Sequence, residues 1–294
     1  MKDLLNRYGT GLTSAFIALT VFWLVLLVIL PNIYLFENSF RPYLPIVDVG
    51  GPKDVWSFDN YAKFFQSPIH IRVFFGTILY SSIVTVICFV IAYPIAFYLA
   101  KVASLSIVPT IFLLLFIPMW VSEVLRSFAW FIILSFNGPL NLTLIGLGVI
   151  EDKVRWMTGF RSVIIGLVYT YVLFMLFPVY NAVQSLDSNQ IEASEDLGAP
   201  WWRTHWRVIL PHCKPGIASG SVMVFMLSAG SILVPTLLAS TNSRWFTEII
   251  QQWMFESQDW NTGSAYAFLL LILCTVFVSA AMWLFKVKLS DIAK

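Results

Sequence analysis

Long stretches without any charged residue constrain this chain more than any other feature. Asp, Glu, Lys and Arg are all absent from residues 8–36, 73–100, 102–122, 127–150, 162–186, 215–243 and 260–285. A helix rises about 1.5 Å per residue, so roughly 20 apolar residues cross the hydrocarbon core of a bilayer. Most of these stretches are that long, and the chain is therefore expected to fold in a membrane.

The composition supports a membrane protein and excludes some functions. Only 12% of the 294 residues are charged and 59% are hydrophobic, whereas a soluble domain carries roughly 25% charged residues. A net charge of +2 gives no reason to expect nucleic acid as a partner. The cysteines, Cys88, Cys213 and Cys274, lie far apart in the sequence and predict buried apolar side chains and no metal site.

Six of the apolar stretches predict membrane spans. Their approximate limits are 13–35, 74–99, 105–122, 162–184, 216–238 and 262–285. The first is longer than the apolar part of a signal peptide and lacks a small-x-small cleavage site after it, so we interpret it as a retained anchor. The expected fold is an all-α integral membrane protein with about six transmembrane helices in one domain, 1–294.

The stretch 127–150 is the ambiguous one. Its apolar part ends after ten residues at Asn137-Gly138-Pro139, and ten helical residues cover only about 15 Å. Non-helical backbone survives at membrane depth only where protein or water covers it. We therefore expect 121–160 to be a broken or re-entrant element, with a seventh span as the alternative. Six spans place both termini on one side of the membrane.

The orientation is predicted from the basic residues. With the N-terminus inside, the inner and outer segments each carry nine Lys and Arg residues, but the inner segments are shorter. The higher density, and Lys286 and Lys288 directly after the last span, favour cytoplasmic N and C termini. The segments 36–72 and 121–160 are then periplasmic or re-entrant, and 187–211 is a cytoplasmic loop.

This cytoplasmic loop predicts two short helices. Asp187 or Ser188 can cap the first helix, and Gly198 can end it because glycine reaches positive φ without strain. Pro200 suits the first turn of the second helix, and Pro211 is expected to stop that helix before the next span. Taken alone, the tryptophans and arginines of the second helix are equally typical of a loop anchored at lipid headgroups.

The spacing of residues in this loop resembles a known motif. It reads Glu192-Ala193-Ser194, three residues, Gly198, nine residues, then Val208-x-Leu210-Pro211. This resembles the EAA motif of bacterial ABC importer permeases, which runs E-A-A, three residues, G, nine residues, I-x-L-P. Ser194 and Val208 depart from that pattern by small, conservative changes.

The resemblance implies a role for the loop. In that family it forms a coupling helix that docks on an ATPase subunit in the cytoplasm, and we call 187–211 the coupling loop. The residues that would contact the ATPase are Glu192, Ala193, Ser194, Gly198, Leu210 and Pro211. ATP and Mg²⁺ would be bound by that partner, so no cofactor is expected in this chain.

Further segments are similar to one branch of the family. Phe58-Asp59-Asn60-Tyr61, Ile117-Pro118-Met119-Trp120, Val234-Pro235-Thr236-Leu237-Leu238 and Asp259 to Ala265 all resemble the spermidine and putrescine permeases. That branch usually has Pro where Asn261 stands. The resemblance covers nearly the whole chain and implies a type I importer in the bacterial inner membrane. Its partners would be an ATPase dimer, a second similar permease, a periplasmic substrate-binding protein and membrane lipid.

The sequence contains no features of an enzyme. No G-x-x-x-x-G-K-[ST] pattern is present, so ATP cannot be bound here by a P-loop and must be hydrolysed by a partner. No Ser/His/Asp or paired-carboxylate arrangement lies within the spans. His205 and His212 are interpreted as polar loop residues.

Glu123 is the candidate for contact with the solute. Ionisable groups at membrane depth are costly and often mark transport pathways. A carboxylate near aromatic faces suits an amine cation, through charge pairing and cation–π attraction. The candidate pathway residues are Trp120, Glu123, Trp130, Tyr169 and Tyr171. In the alternative, Glu123 pairs with Arg126 at i, i+3, or lies at the interface, and the aromatic residues only pack.

Two other functions stay open at this point. A stand-alone secondary transporter or channel would work without an ATPase, but we find no inverted repeat in the chain. An assembly factor or membrane enzyme would show no pathway at all. For an importer, the expected solute is a polyamine or a related small cation, with a zwitterionic or anionic solute as the alternative.

Overall fold

The computed structural model describes residues 2–45, 48, 50–240 and 243–286, and it is helical with no β-strand in these ranges. The helices of the first half are α1 (Lys2–Leu24), α2 (Leu30–Ser39), α3 (Asp59–Gln66), α4 (Pro68–Phe97), α5 (Val108–Trp120), α6 (Glu123–Leu134) and α7 (Pro139–Gly146). Those of the second half are α8 (Arg161–Gln184), α9 (Ser188–Asp196), α10 (Trp201–Thr204), α11 (Leu210–His212), α12 (Lys214–Ala229), α13 (Leu233–Leu238), α14 (Phe246–Gln251) and α15 (Trp260–Phe285). Short π-helical segments occupy Val25–Ile29, Tyr98–Val102, His205–Ile209 and Gln252–Glu256.

The chain forms two compact units. Unit 1 comprises Met1–Ser67 and Ile250–Leu269, and unit 2 comprises Pro68–Ile249 and Leu270–Lys294. Unit 1 therefore joins the start of the chain to residues more than 180 positions later. Unit 2 holds most of the apolar core and the coupling loop.

Three helices make the core of unit 2. Helices α4, α8 and α12 pack pairwise, and their facing residues, such as Val84, Leu167 and Val224, are fully buried. Because lipid is as apolar as these side chains, close backbone approach contributes much of the packing between helices. A Cβ atom on Gly216 would lie 2.4 Å from the carbonyl oxygen of Pro178, so α12 can approach α8 this closely only with glycine there.

Within the described ranges, four helices are long and apolar enough to span a membrane. They are Gly9–Ser39, Pro68–Val102, Arg161–Gln184 and Trp260–Phe285. Two bent helix pairs raise the number to six if each pair is one span. Val108–Trp120 and Glu123–Leu134 meet at 88°, and Trp201–His212 and Lys214–Ala229 meet at 72°.

The predicted continuous span 216–238 is interrupted in the structure. Helix α12 ends at Ala229, and α13 starts at Leu233. Gly230 is a poor helix former, and Pro235 is tolerated in the first turn of a new helix, where a backbone N–H is not needed. The region 121–160 contains α6 and α7, and the chain breaks between them at Gly138, the N-cap of α7.

Candidate functional site

The first half of the coupling loop is a capped helix with a tight exit. The side chain of Asp187 accepts a hydrogen bond of 3.0 Å from the backbone N–H of Asn189, which confirms the predicted cap of α9. Gly198 has φ of 73°. Its N–H donates to Glu195 O at 2.8 Å, while the N–H of Ala199 donates to Ser194 O at 3.1 Å. These two bonds are the pattern of a glycine-terminated helix, so the predicted end of α9 at Gly198 is confirmed.

The second half of the coupling loop ends where the sequence predicts. Residues Trp201–His212 form one continuous helix that meets Lys214–Ala229 at 72°, so the helix ends one residue after Pro211 and the chain bends at Cys213. The expected stop at Pro211 therefore agrees with the structure to within one residue. The segment His205–Ile209 within this helix is π-helical, which the sequence did not indicate. Leu210 packs partly buried against the core of unit 2, while Pro211 is exposed.

The coupling loop exposes large apolar side chains. Leu197 is 88% exposed, Trp201 74% and Trp206 70%. Glu192 and Ala193 are exposed on α9, whereas Ser194 is half-buried and shares a hydrogen bond of 2.9 Å with the hydroxyl of Thr204. The motif residues are thus not gathered into one pocket. Glu192 and Ala193 face solvent, Ser194 faces Thr204 of α10, and Leu210 faces the core.

The coupling loop forms hydrogen bonds with the end of α4 and with the π-helical segment Tyr98–Val102 that follows it. Lys101 Nζ donates a hydrogen bond to the carbonyl of Leu186, directly before the loop. The hydroxyl of Tyr93 shares a hydrogen bond of 2.7 Å with His205 Nδ1. Burial lowers the pKa of His205, which favours the neutral form of the ring. The sequence interpretation of His205 as a polar loop residue missed this contact, because nothing in the spacing links it to Tyr93.

The candidate solute residues form two pairs between α6 and α8. Tyr171 donates a hydrogen bond of 3.1 Å to Glu123 Oε1, and the rings of Trp130 and Tyr169 meet edge to face at 5.4 Å. Glu123 is the first residue of α6 and half-buried, where the helix dipole favours a carboxylate. Trp120, 80% exposed at the end of α5, joins neither pair.

The alternative in which Glu123 pairs with Arg126 is absent from the structure. In the described ranges, no ion pair within 4.0 Å joins these two side chains. One Glu123 oxygen is instead held by Tyr171. The Glu123 carboxylate is thus positioned by the neutral side chain of Tyr171. Within the described residues, Arg126 forms no ion pair with it that would compensate its negative charge.

Unit 1 holds a polar cluster made from two of the family-like segments. We call Asn60, Lys63, Asp259 and Thr262 the unit 1 cluster. Lys63 Nζ lies 2.7 Å from Thr262 Oγ1 and 3.3 Å from Asp259 Oδ2. Asp259 also caps α15, since its Oδ1 accepts a bond of 2.9 Å from the N–H of Thr262. The Asn60 amide donates to two backbone carbonyls, those of Ser39 and Arg41.

Comparison with known proteins decides the family. A family model described as "Binding-protein-dependent transport system inner membrane component" matches residues 88–287. The chain belongs to this family. It is therefore a multi-pass component of the inner membrane, which agrees with its apolar helices.

Curated relatives are similar over nearly the whole chain. The spermidine/putrescine transport system permease protein PotB of Salmonella typhimurium (strain SL1344) is 35% identical over 274 residues, covering 92% of this chain and 94% of the relative. The protein of the same name from Escherichia coli (strain K12) is 34% identical over 250 residues, covering 85% and 89%.

A solved structure shares the fold. One chain of a bacterial alginate ABC transporter, in complex with an alginate pentasaccharide-bound periplasmic protein, aligns with a TM-score of 0.76 over 98% of this chain and 99% of that one. At 21% identity this likeness shows the fold alone. The expected type I importer permease fold is thereby confirmed.

Proposed function

We propose that this chain is one of two permease subunits of an ABC importer for a polyamine such as spermidine or putrescine. The coupling loop carries the proposal, since it combines the motif spacing with exposed Leu197, Trp201 and Trp206. Large apolar side chains and tryptophans are the usual anchors of a protein interface. The names of the relatives support the choice of a polyamine.

The energy for transport would come from partner subunits. Two ATPase subunits would bind ATP and Mg²⁺ and close on each other, and the coupling loop would convert that closure into movement of the spans. This chain would itself be non-catalytic, with both termini in the cytoplasm. A periplasmic binding protein would deliver the solute, and a second permease would complete the pathway.

The Glu123 region would contact the solute. Its carboxylate is held by Tyr171 at 3.1 Å, and an aromatic pair, Trp130 and Tyr169, lies on the same two helices. A protonated amine gains from both a carboxylate and aromatic faces. Trp120 would add a further face from the exposed end of α5.

The first test replaces Gly198 by proline in the complex reconstituted with ATPase and binding protein. The substitution removes the N–H that bonds Glu195 O and excludes φ of 73°. We expect spermidine-loaded binding protein to stimulate ATP hydrolysis in the wild type and not in the variant. Gly148→Pro is the matched control, because Gly148 has φ of 70° and its N–H bonds Ile145 O at 2.9 Å.

The outcome separates the proposed function from its rivals. If the wild-type chain recruits no ATPase but still transports solute, a secondary transporter or channel is the better explanation. If Gly198→Pro and Gly148→Pro lose stimulation equally, the coupling loop has no special role.

The second test addresses the solute. Glu123→Gln removes the charge but keeps an acceptor for Tyr171, so we expect the KM for spermidine uptake to rise roughly tenfold. Glu151→Gln, an exposed carboxylate in the neighbouring segment, is the control and should leave KM unchanged. An unchanged KM in Glu123→Gln would remove this residue from the pathway.

A further inference from the structure

One face of the last turns of α4 lies against the coupling loop. Tyr93 and Phe97 lie four residues apart, and Lys101 follows four residues later in the π-helical segment Tyr98–Val102. Residues spaced by four lie on the same face of a helix. Tyr93 and Phe97 contact His205, and Lys101 bonds the carbonyl of Leu186 directly before the loop. The end of α4 and the segment after it therefore contact the coupling loop through these three residues.

The His205 ring lies at the centre of these contacts. Its Nδ1 is 2.7 Å from the Tyr93 hydroxyl, and its ring centroid is 4.6 Å from that of Phe97. Trp201 also packs edge-on against this ring, with the two ring centroids 5.5 Å apart. A neutral imidazole has one donor and one acceptor nitrogen, so the bond with the tyrosine hydroxyl has a defined direction for a given tautomer.

A chain of contacts leads from the motif to this ring. On α9, Ser194 is hydrogen-bonded to Thr204 at 2.9 Å, and Thr204 is buried directly before His205. On the other side, α4 packs along α8 and α12 through buried residues such as Cys88 and Ala92. These contacts connect α9 to the core helices by way of Thr204, His205 and Tyr93.

We propose that His205 is a positioning residue that transmits movement of the coupling loop to α4 through Tyr93. The inference rests on the proposed function, in which an ATPase moves the loop. His205 contacts no solute and no nucleotide in this arrangement. Its role is to make the loop and α4 move together, so that ATP hydrolysis is matched to transport.

The test measures spermidine transported per ATP hydrolysed by the complex in liposomes. Tyr93→Phe removes only the hydroxyl, and His205→Phe keeps the ring contacts but removes the nitrogens. We expect each variant to lower the ratio roughly three- to tenfold while ATPase subunits still co-purify. The double variant should be no worse than either single one, because both remove the same bond.

Two kinds of control exclude a general loss of structure. Tyr98→Phe changes a more exposed tyrosine in the π-helical segment directly after α4, and it should leave the ratio at the wild-type value. His205→Asn places an amide near the position of Nδ1 and should recover most of the coupling. Recovery by Asn but not by Phe is a result that loss of packing alone would not give.

Three results would overturn the inference. They are an unchanged ratio in both single variants, effects that multiply in the double variant, or an equal loss in Tyr98→Phe. A wild-type complex that recruits no ATPase would instead contradict the proposed function. If His205→Phe does not fold, Tyr93→Phe and His205→Asn decide the question by themselves.

Discussion

The coupling loop and the unit 1 cluster both come from segments typical of the family, yet they are built in opposite ways. In the unit 1 cluster, Asp259 and Thr262 are buried and bonded to each other and to Lys63. In the coupling loop, Leu197 and Trp206 present most of their surface to solvent. A buried, paired polar group stabilises its own chain, whereas exposed large apolar groups are typical of a partner's binding surface.

This contrast indicates that mutations in different family-like segments have different effects. A segment whose polar atoms are bonded within the chain is expected to affect folding when mutated. A segment that exposes its large side chains is expected to affect assembly with little effect on folding.

The largest expected effect is on stability, in Asp259→Ala. The change removes the cap of α15 and the carboxylate bonded to Thr262 and Lys63. We expect the free energy of unfolding to fall by about 3 kcal/mol, from the lost cap and two charge-assisted bonds. Thermal unfolding in detergent would measure this, with Asp259→Asn as the milder control. A variant as stable as wild type would contradict the structural role of the cluster.

Trp206→Ala tests the opposite region. Since the side chain is 70% exposed, we expect the free energy of unfolding to change by less than about 0.5 kcal/mol. The Kd for the ATPase subunit should rise roughly thirtyfold, which is about 2 kcal/mol for an interface tryptophan. Trp283→Ala, 81% exposed in α15, is the control. If both variants weaken ATPase binding alike, the loop is not the docking surface.

Ser194→Ala should have a smaller effect inside the coupling loop. It removes the bond of 2.9 Å to Thr204 and restores the alanine that the family motif has at this position. We expect about 1 kcal/mol less protection of the α9 amides in hydrogen exchange. Ser188→Ala, in the first turn of the same helix, should change little. Unaltered protection in Ser194→Ala would show that α9 and α10 are held together by other contacts.

The smallest effect is a pH dependence of the local stability around Asp54, in the segment before α3. The N–H of Gly50 and the guanidinium of Arg41 lower the pKa of Asp54 below its ordinary value. The stabilisation of the folded segment by the ionised Asp54 side chain is therefore fully present above the ordinary pKa of about 3.9 and is lost as the pH falls below it. Hydrogen exchange at Gly50, corrected for the intrinsic rate, should show this loss. Asp54→Asn should abolish the pH dependence, and a persistent dependence would assign it to another group.

The sequence predicts much of the coupling loop because local rules decide it. Asp187 caps α9 and Gly198 ends it, as expected from side-chain capping and from the freedom of glycine at positive φ. The helix that begins at Trp201 ends at His212, one residue after the expected stop at Pro211. The π-helical segment within it could not be predicted, because no residue type marks a π turn.

Contacts between distant segments could not be predicted in this way. Lys63 and Asp259 are 196 positions apart, and Tyr93 and His205 are 112 apart. No periodicity within either segment indicates the other. The interruption after Ala229 was also missed, because the apolar run 215–243 continues through it. Hydropathy records which residues tolerate lipid but does not show where a helix stops.

The π-helical segment His205–Ile209 is a place where the length of this chain can vary. The N–H of Leu210 bonds to His205 O, five residues back, so the segment holds one residue more than an ordinary turn. Because that residue is absorbed within one wider turn, deleting it would close a regular α-helical turn and leave the helix on either side near its present rotation. In a regular helix the same deletion would rotate the preceding part by about 100°. Functional variants one residue shorter are therefore expected here and not in the regular helices around it.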